Sequence, residues 1–163
     1  MAGVRIGMTR REVKKVLGPP RRVKVIRNSA FGPGKPVRFL YPGLRVLFWK
    51  GAPRNPSGSE HPDLKLRVAA TSTVRRSLET ARGLGVGSRE RQVRRKFPAA
   101  RCEMIEWNGK LYRNCHSGSY TCKPPAWALG DLPCRVSAFI LNRKNGRVVR
   151  VTIGWLGAYN GTI

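Results

Sequence analysis

Alternation of apolar and polar residues dominates this chain, and it is interrupted twice by short stretches with helical spacing. In the first, Thr9 with Glu12 three residues on forms a capping box, and Val13, Val16 and Leu17 fall on one helical face. Gly18-Pro19-Pro20 stops that helix. Eighty residues later Ser88 takes the capping place, Val93 and Phe97 the apolar face, and Pro98 the stop. Each helix is too short and too narrow in its apolar stripe to be stable alone, so each needs a larger surface to dock on.

Strand patterning supplies that surface. After the first helix come Val23–Ile26, Pro36–Tyr41, Leu44–Trp49 and Leu64–Ala70; after the second come Cys102–Trp107, Lys110–His116, Cys134–Asn142 and Arg147–Trp155. Gly32-Pro33-Gly34, Pro42-Gly43, the polar stretch Gly51–Asp63 and Asn145-Gly146 read as turns or loops. Thr73–Ala81 predicts a further short helix. At a fixed offset of 80, Gly7, Arg11, Val13 and the bases Lys14 and Lys15 match Gly87, Arg91, Val93, Arg94 and Arg95. The expectation is an α+β fold of two tandem repeats, residues 1–82 and 83–163, each a short helical segment packed on a roughly four-stranded antiparallel sheet.

Gly7-Met8-Thr9-Arg10-Arg11-Glu12-Val13, followed by Leu17-Gly18-Pro19-Pro20, resembles the opening of the module found in the β-lactamase-inhibitory-protein family. A similar opening occurs in the small lipoprotein of the outer-membrane β-barrel assembly machinery. The resemblance implies a helical hairpin on an antiparallel sheet, two such modules in tandem, and a concave sheet face as the binding surface of an extracytoplasmic protein. The second copy departs from it, with Val86-Gly87-Ser88 at the opening. No inhibitory residue carries over, and the lipoprotein's acylated cysteine has no counterpart, because the first half has no cysteine.

The four cysteines, Cys102, Cys115, Cys122 and Cys134, contain no C-x-x-C, which argues against a zinc ribbon or a thioredoxin-like motif. With Asn108-Gly109 as a two-residue hairpin turn, Trp107 faces Lys110, Ile105 faces Tyr112, and Cys102 faces Cys115 at a non-hydrogen-bonded pair, where side chains approach most closely. The spacing therefore predicts a Cys102–Cys115 disulfide, with Cys122–Cys134 as the remaining pair. Disulfides imply export and an extracellular or envelope location, although the N-terminus shows no signal-peptide layout.

The chain carries 33 Lys+Arg against 8 Asp+Glu, a formal charge of +25 over 163 residues. Arg outnumbers Lys 23 to 10, which a GC-rich genome explains; it does not explain the shortage of acids. Both halves share the excess, with 19 bases and 4 acids before residue 83 and 14 and 4 after, so the charge belongs to the folded body. No apolar run is long enough to span a bilayer as a helix.

Strand alternation locates part of that charge. If Pro42-Gly43 is the turn, Val37, Phe39, Tyr41, Leu44, Val46 and Phe48 share one apolar face. The opposite, solvent-side face then carries Arg38, Leu40, Arg45, Leu47 and Trp49, joined by Lys24, Lys65 and Arg67 from neighbouring strands. Lys24, Arg38, Arg45, Trp49, Lys65 and Arg67 are the candidate binding residues, a basic and aromatic surface for an acidic protein or an anionic envelope polymer. The plain alternative is that Lys and Arg wet the outer face of an antiparallel sheet. The helical bases Arg10, Arg11, Lys14 and Lys15, with Arg91, Arg94, Arg95 and Lys96, read as a solvated face.

Catalysis finds little support. His61 and His116 have no evident nucleophile or acid partner, and Glu103 and Glu106 fall on opposite faces of one strand. Gly83, Gly85 and Gly87 lack the strand–loop–helix setting of a dinucleotide fingerprint. Asn160-Gly161-Thr162 fits a glycosylation sequon. The expectation is a secreted, non-enzymatic binding protein without metal or cofactor. The competing reading is a basic nucleic-acid-binding protein of the cytoplasm.

Overall fold

The structure is a computed structural model that describes residues 1–26, 35–50, 66–118 and 135–155, with the backbone alone for Lys50, Arg135 and Trp155. Helix α1 (Arg10–Leu17) starts at the capping box the sequence predicts. The Glu12 N–H donates to Thr9 Oγ1 at 3.3 Å and the Thr9 N–H donates to Glu12 Oε2 at 2.6 Å. Gly18 ends the helix at φ 76°, a left-handed conformation that glycine adopts without a Cβ penalty. Strands β1 (Arg22–Val25), β2 (Val37–Tyr41), β3 (Leu44–Lys50) and β4 (Leu66–Thr73) follow. Then come α2 (Glu90–Lys96), β5 (Arg101–Trp107), β6 (Lys110–Ser117), β7 (Arg135–Asn142) and β8 (Val148–Trp155).

The expected pair of helix-on-four-strand repeats is overturned at the level of the sheet. The strands form one continuous eight-stranded antiparallel sheet in the order β1-β2-β3-β4-β8-β7-β6-β5, and with only two short helices among the described residues the described fold is mostly β. The join is β4 with β8, where Ala70, Thr71, Ser72 and Thr73 face Gly154, Ile153, Thr152 and Val151. Left apart, the last strand of each half would expose a row of unpaired N–H and C=O groups, and pairing them removes two edges at once. Hairpin signals report only neighbours in the chain, so this long-range pairing has no local signature.

Equivalent contacts recur at the offset of 80 inside the shared sheet. The Gly7 N–H donates to the Val68 carbonyl at 2.9 Å, and the Gly87 N–H to that of Val148 at 2.7 Å. The register shifts between Leu47 and Phe48, leaving Ala69 as an extra residue, and again between Ile140 and Leu141, leaving Val149. Both helices cover the same side of the sheet. Val13 of α1 packs with Val37, Phe39, Leu44, Val46, Phe48 and Val68, and Val93 of α2 with Cys115, Phe139, Leu141, Val148 and Val151.

Two local expectations also change. Residues 73–81 do not form a helix: β4 runs through Thr73, and Thr80 Oγ1 accepts from the Arg82 and Leu84 N–H groups, an alternative to helical hydrogen bonding that holds a tight turn. Ser88 does not cap α2. Its hydroxyl accepts from the Gly85 N–H at 3.1 Å, while Arg89, the 80-residue counterpart of Thr9, holds the N-cap position; its N–H donates to Gln92 Oε1 at 2.7 Å, but its own side chain does not cap the helix.

Candidate binding face

The β1–β4 register places Lys24 directly across from Arg38, Arg38 across from Leu47, and Leu40 across from Arg45, all on the face away from the helices. Arg38 and Arg45 are thus diagonal neighbours. Burial, and then the charge of Arg45, hold the Arg38 guanidinium below the usual arginine range. Arg38 is half-buried and Lys24 exposed. No carboxylate is among the described residues of β1–β4 on this face.

Trp49 and Arg67 are brought together, because they are register partners between β3 and β4. Their roles differ from those of a solvent-facing pair. Trp49 packs with Ile6 and Ile26 against a small cluster of Leu47, Ala69 and Ala70. Leu47, expected among the solvent-side residues, is 1% exposed. Arg67 is 9% exposed and its Nη1 donates to the Gly7 carbonyl at 3.0 Å, a clasp that Arg147 repeats on Gly87 at 3.1 Å. Lys65 lies outside the described residues. The helical bases Arg10, Arg11, Lys14, Lys15, Arg91, Arg94, Arg95 and Lys96 are exposed.

The same face continues over β8 to β5 with groups that strand alternation did not single out. Asn114, His116 and Arg150 are buried there, and the Arg150 guanidinium stacks 4.0 Å from the centroid of the Trp107 ring, which meets Tyr112 at 5.5 Å. The available signal was Asn114 and His116 alternating around Cys115, which sets both on the face opposite the disulfide. His116 Nδ1 is 3.6 Å from Glu103 Oε1. A recess of about 310 Å³ opens where the halves meet, lined among others by Arg45, Ser72 and Arg150. A larger cleft of about 620 Å³ lies against the helix-side residues Thr71 and Ile153, lined by the first six residues and by Glu79 and Thr80.

Cys102 and Cys115 form the predicted disulfide across the β5–β6 pair, with S–S 2.08 Å and Cα atoms 4.0 Å apart. Cys122 and Cys134 lie outside the described residues. A carboxylate oxygen of Glu90 and the two sulfurs lie within 4.8 Å of one another, but sulfurs bonded to each other are not thiolates and do not make a metal site.

No protein-family model matches the chain, and no curated protein matches it. Among solved structures it is similar to the 1.5 Å crystal structure of an extracellular protein containing a SCP domain from Bacillus anthracis str. Ames, with TM-score 0.55 at 11% identity. The match covers 95% of this chain and 45% of that one, so the chain spans less than half the length of its structural neighbour, and the likeness is one of fold.

Proposed function

We propose that this chain is an exported, non-enzymatic binding module whose basic sheet face takes an acidic protein surface. The observation that carries the reading is the juxtaposition of Lys24, Arg38 and Arg45 on one face, set by the register of β1, β2 and β3. Bases that merely wet a sheet extend into solvent and spread apart. Here the register sets Arg38 and Arg45 as diagonal neighbours on one face, a local concentration of positive charge that favours an approaching anion. Half-buried Leu40 beside them favours a protein surface over a purely ionic polymer. The disulfide and the extracellular character of the Bacillus anthracis protein support an extracellular or envelope location. So does the resemblance of the Gly7–Val13 opening to exported binding modules.

The test compares the wild-type chain with Lys24→Ser/Arg38→Ser/Arg45→Ser, disulfide intact, for binding to poly-L-glutamate, to a glycerol-phosphate polymer and to duplex DNA at physiological salt. The variant removes only three charges from +25, so a loss of poly-L-glutamate binding of about tenfold or more reflects the local cluster rather than net charge. Unchanged binding would reject the face. Tighter binding to the glycerol-phosphate polymer would redirect the reading to an envelope polymer. DNA binding that persists at this salt, with the steep salt slope of phosphate neutralisation, would favour the nucleic-acid reading.

A further inference from the structure

We infer that edge strand β1 takes up an extended segment of the acidic partner as an added antiparallel strand, an inference that rests on the protein-binding reading of the basic face. Among the described residues β1 ends the sheet, paired with β2 alone. The phase of that pairing is set by the Ile26 N–H, which donates to the Pro36 carbonyl at 2.9 Å. Hydrogen-bonded and non-hydrogen-bonded pairs alternate along an antiparallel ladder, so the Lys24–Arg38 and Arg22–Leu40 pairs are bonded inward. The N–H and C=O groups of Val23 and Val25 therefore point out of the sheet edge, the template on which a further strand pairs.

Side chains on both faces define what the added strand carries. On the helix side Val23 and Val25 are 50% and 48% exposed, although their cross-strand partners Phe39 and Val37 are buried with Val13 of α1. The apolar face thus runs past the cover of α1, and an apolar residue opposite each valine extends it. On the other face Arg22 and Lys24 are exposed, with Arg38 beside Lys24 on β2, so the added residues there are acidic. The matching ligand is an extended segment in which acidic and apolar residues alternate. The other edge strand, β5, differs: Glu103 and Glu106 outnumber Arg101, so it does not select for acids. A second copy fits β1 poorly, because each chain carries +25 and its β5 edge lies beside Lys110 and Arg113 of β6. Arg22 and Lys24 thus keep like-charged edges apart while leaving an acidic strand free to pair, and β1 has neither the proline nor the bulge that closes many exposed edges.

The experiment is amide hydrogen exchange and backbone NMR on the full chain, disulfide intact, with a blocked hexapeptide of alternating glutamate and valine. Three control peptides carry glutamine for glutamate, N-methyl groups on the valines, or N-methyl groups on the glutamates. In the free chain the Lys24 amide is expected to be protected and those of Val23 and Val25 to exchange freely. The hexapeptide protects both valine amides about tenfold at about ten times its dissociation constant. A peptide residue opposite Val23 or Val25 shares its face and turns its own N–H toward β1, so N-methylated valines abolish the effect and N-methylated glutamates retain it. Glutamine weakens binding about tenfold. Val25→Pro, which removes an outward N–H without breaking a ladder bond, does the same. Unprotected Val23 and Val25 in saturating peptide, or equal binding of the two N-methylated peptides, overturns strand addition, and equal binding of the glutamine peptide overturns its acidic specificity. Protection of both valines in the free chain also overturns it: independent of protein concentration, the chain itself covers the edge; rising with concentration, a second copy does. Shifts of Lys24, Arg38 and Arg45 with both valines unprotected remove the added strand and leave the basic face standing. If neither the hexapeptide nor poly-L-glutamate shifts those bases, both readings fall.

Discussion

Gly154→Ala tests the join that makes one sheet of the two halves. Glycine inside a strand is ordinarily a weakness, and alanine there is expected to stabilise by about 0.5–1 kcal/mol. At position 154 the packing reverses that sign. A Cβ built on Gly154 meets Ala70 Cβ at 2.5 Å, the Ala69 carbonyl oxygen at 2.9 Å and Ala70 Cα at 2.9 Å. None of these is the end of a flexible side chain that swings away, so the strands themselves must move. Overpacking of this kind costs about 1–3 kcal/mol, and after the propensity gain the net loss is about 1–2 kcal/mol. For a chain of this size that lowers Tm by roughly 2–8 °C. Urea denaturation measures the loss, and amide exchange locates it: protection is expected to fall at Ala70–Thr73 and Val151–Gly154, the four paired positions of the join. Ala70→Gly in the same chain removes the nearest clash, so the double variant recovers part of the loss as a coupling energy. A Gly154→Ala protein as stable as the wild type, with unchanged protection along β4 and β8, would refute the close approach.

Further expectations follow from single contacts. Replacing Cys102 and Cys115 with Ser, or reducing the bond that closes a 13-residue separation, costs about 3 kcal/mol by chain entropy; equal unfolding midpoints with and without reductant would contradict a structural role. Thr9→Ala removes the cap of α1 and costs about 1 kcal/mol at neutral pH. The backbone N–H and then the hydroxyl of Thr9 hold the Glu12 carboxyl below its ordinary value of 4.5, so this contribution is complete above that value and fades as pH falls through the lowered one. A wild-type/variant difference that grows in acid would contradict the cap. Arg89→Thr supplies α2 with the hydroxyl that α1 has and is expected to stabilise by about 0.5–1 kcal/mol in thermal unfolding; no change or a loss would show that the start of α2 is set by its neighbours. Arg67→Met strands the Gly7 carbonyl and costs about 1–3 kcal/mol, whereas Lys24→Ser leaves stability within about 0.5 kcal/mol; equal losses in denaturation would refute the clasp.

Local chemistry determined much of this protein. The capping box at Thr9 and Glu12, the β2–β3 register around Pro42-Gly43 and the Cys102–Cys115 pairing across the Asn108-Gly109 hairpin all follow from nearby residues; the Asn-Gly turn sets the last, and apolar alternation more than the Pro-Gly turn sets the β2–β3 register. The side of the sheet on which Lys24, Arg38 and Arg45 lie was legible for the same reason, because side chains alternate strictly along a paired strand. Burial on that side was not: Leu47, Arg67 and Arg150 are enclosed by contacts from distant parts of the chain, and one of them clasps a backbone carbonyl 60 residues away. The tertiary structure alone decided that the two halves share a sheet. Pairing β4 with β8 depends on a small residue meeting a glycine across the join, Ala70 against Gly154, 84 positions apart. Alternation specifies which face a strand presents, but the partner along its edge is chosen by close packing and by the need to satisfy backbone groups, neither of which has a period in the sequence.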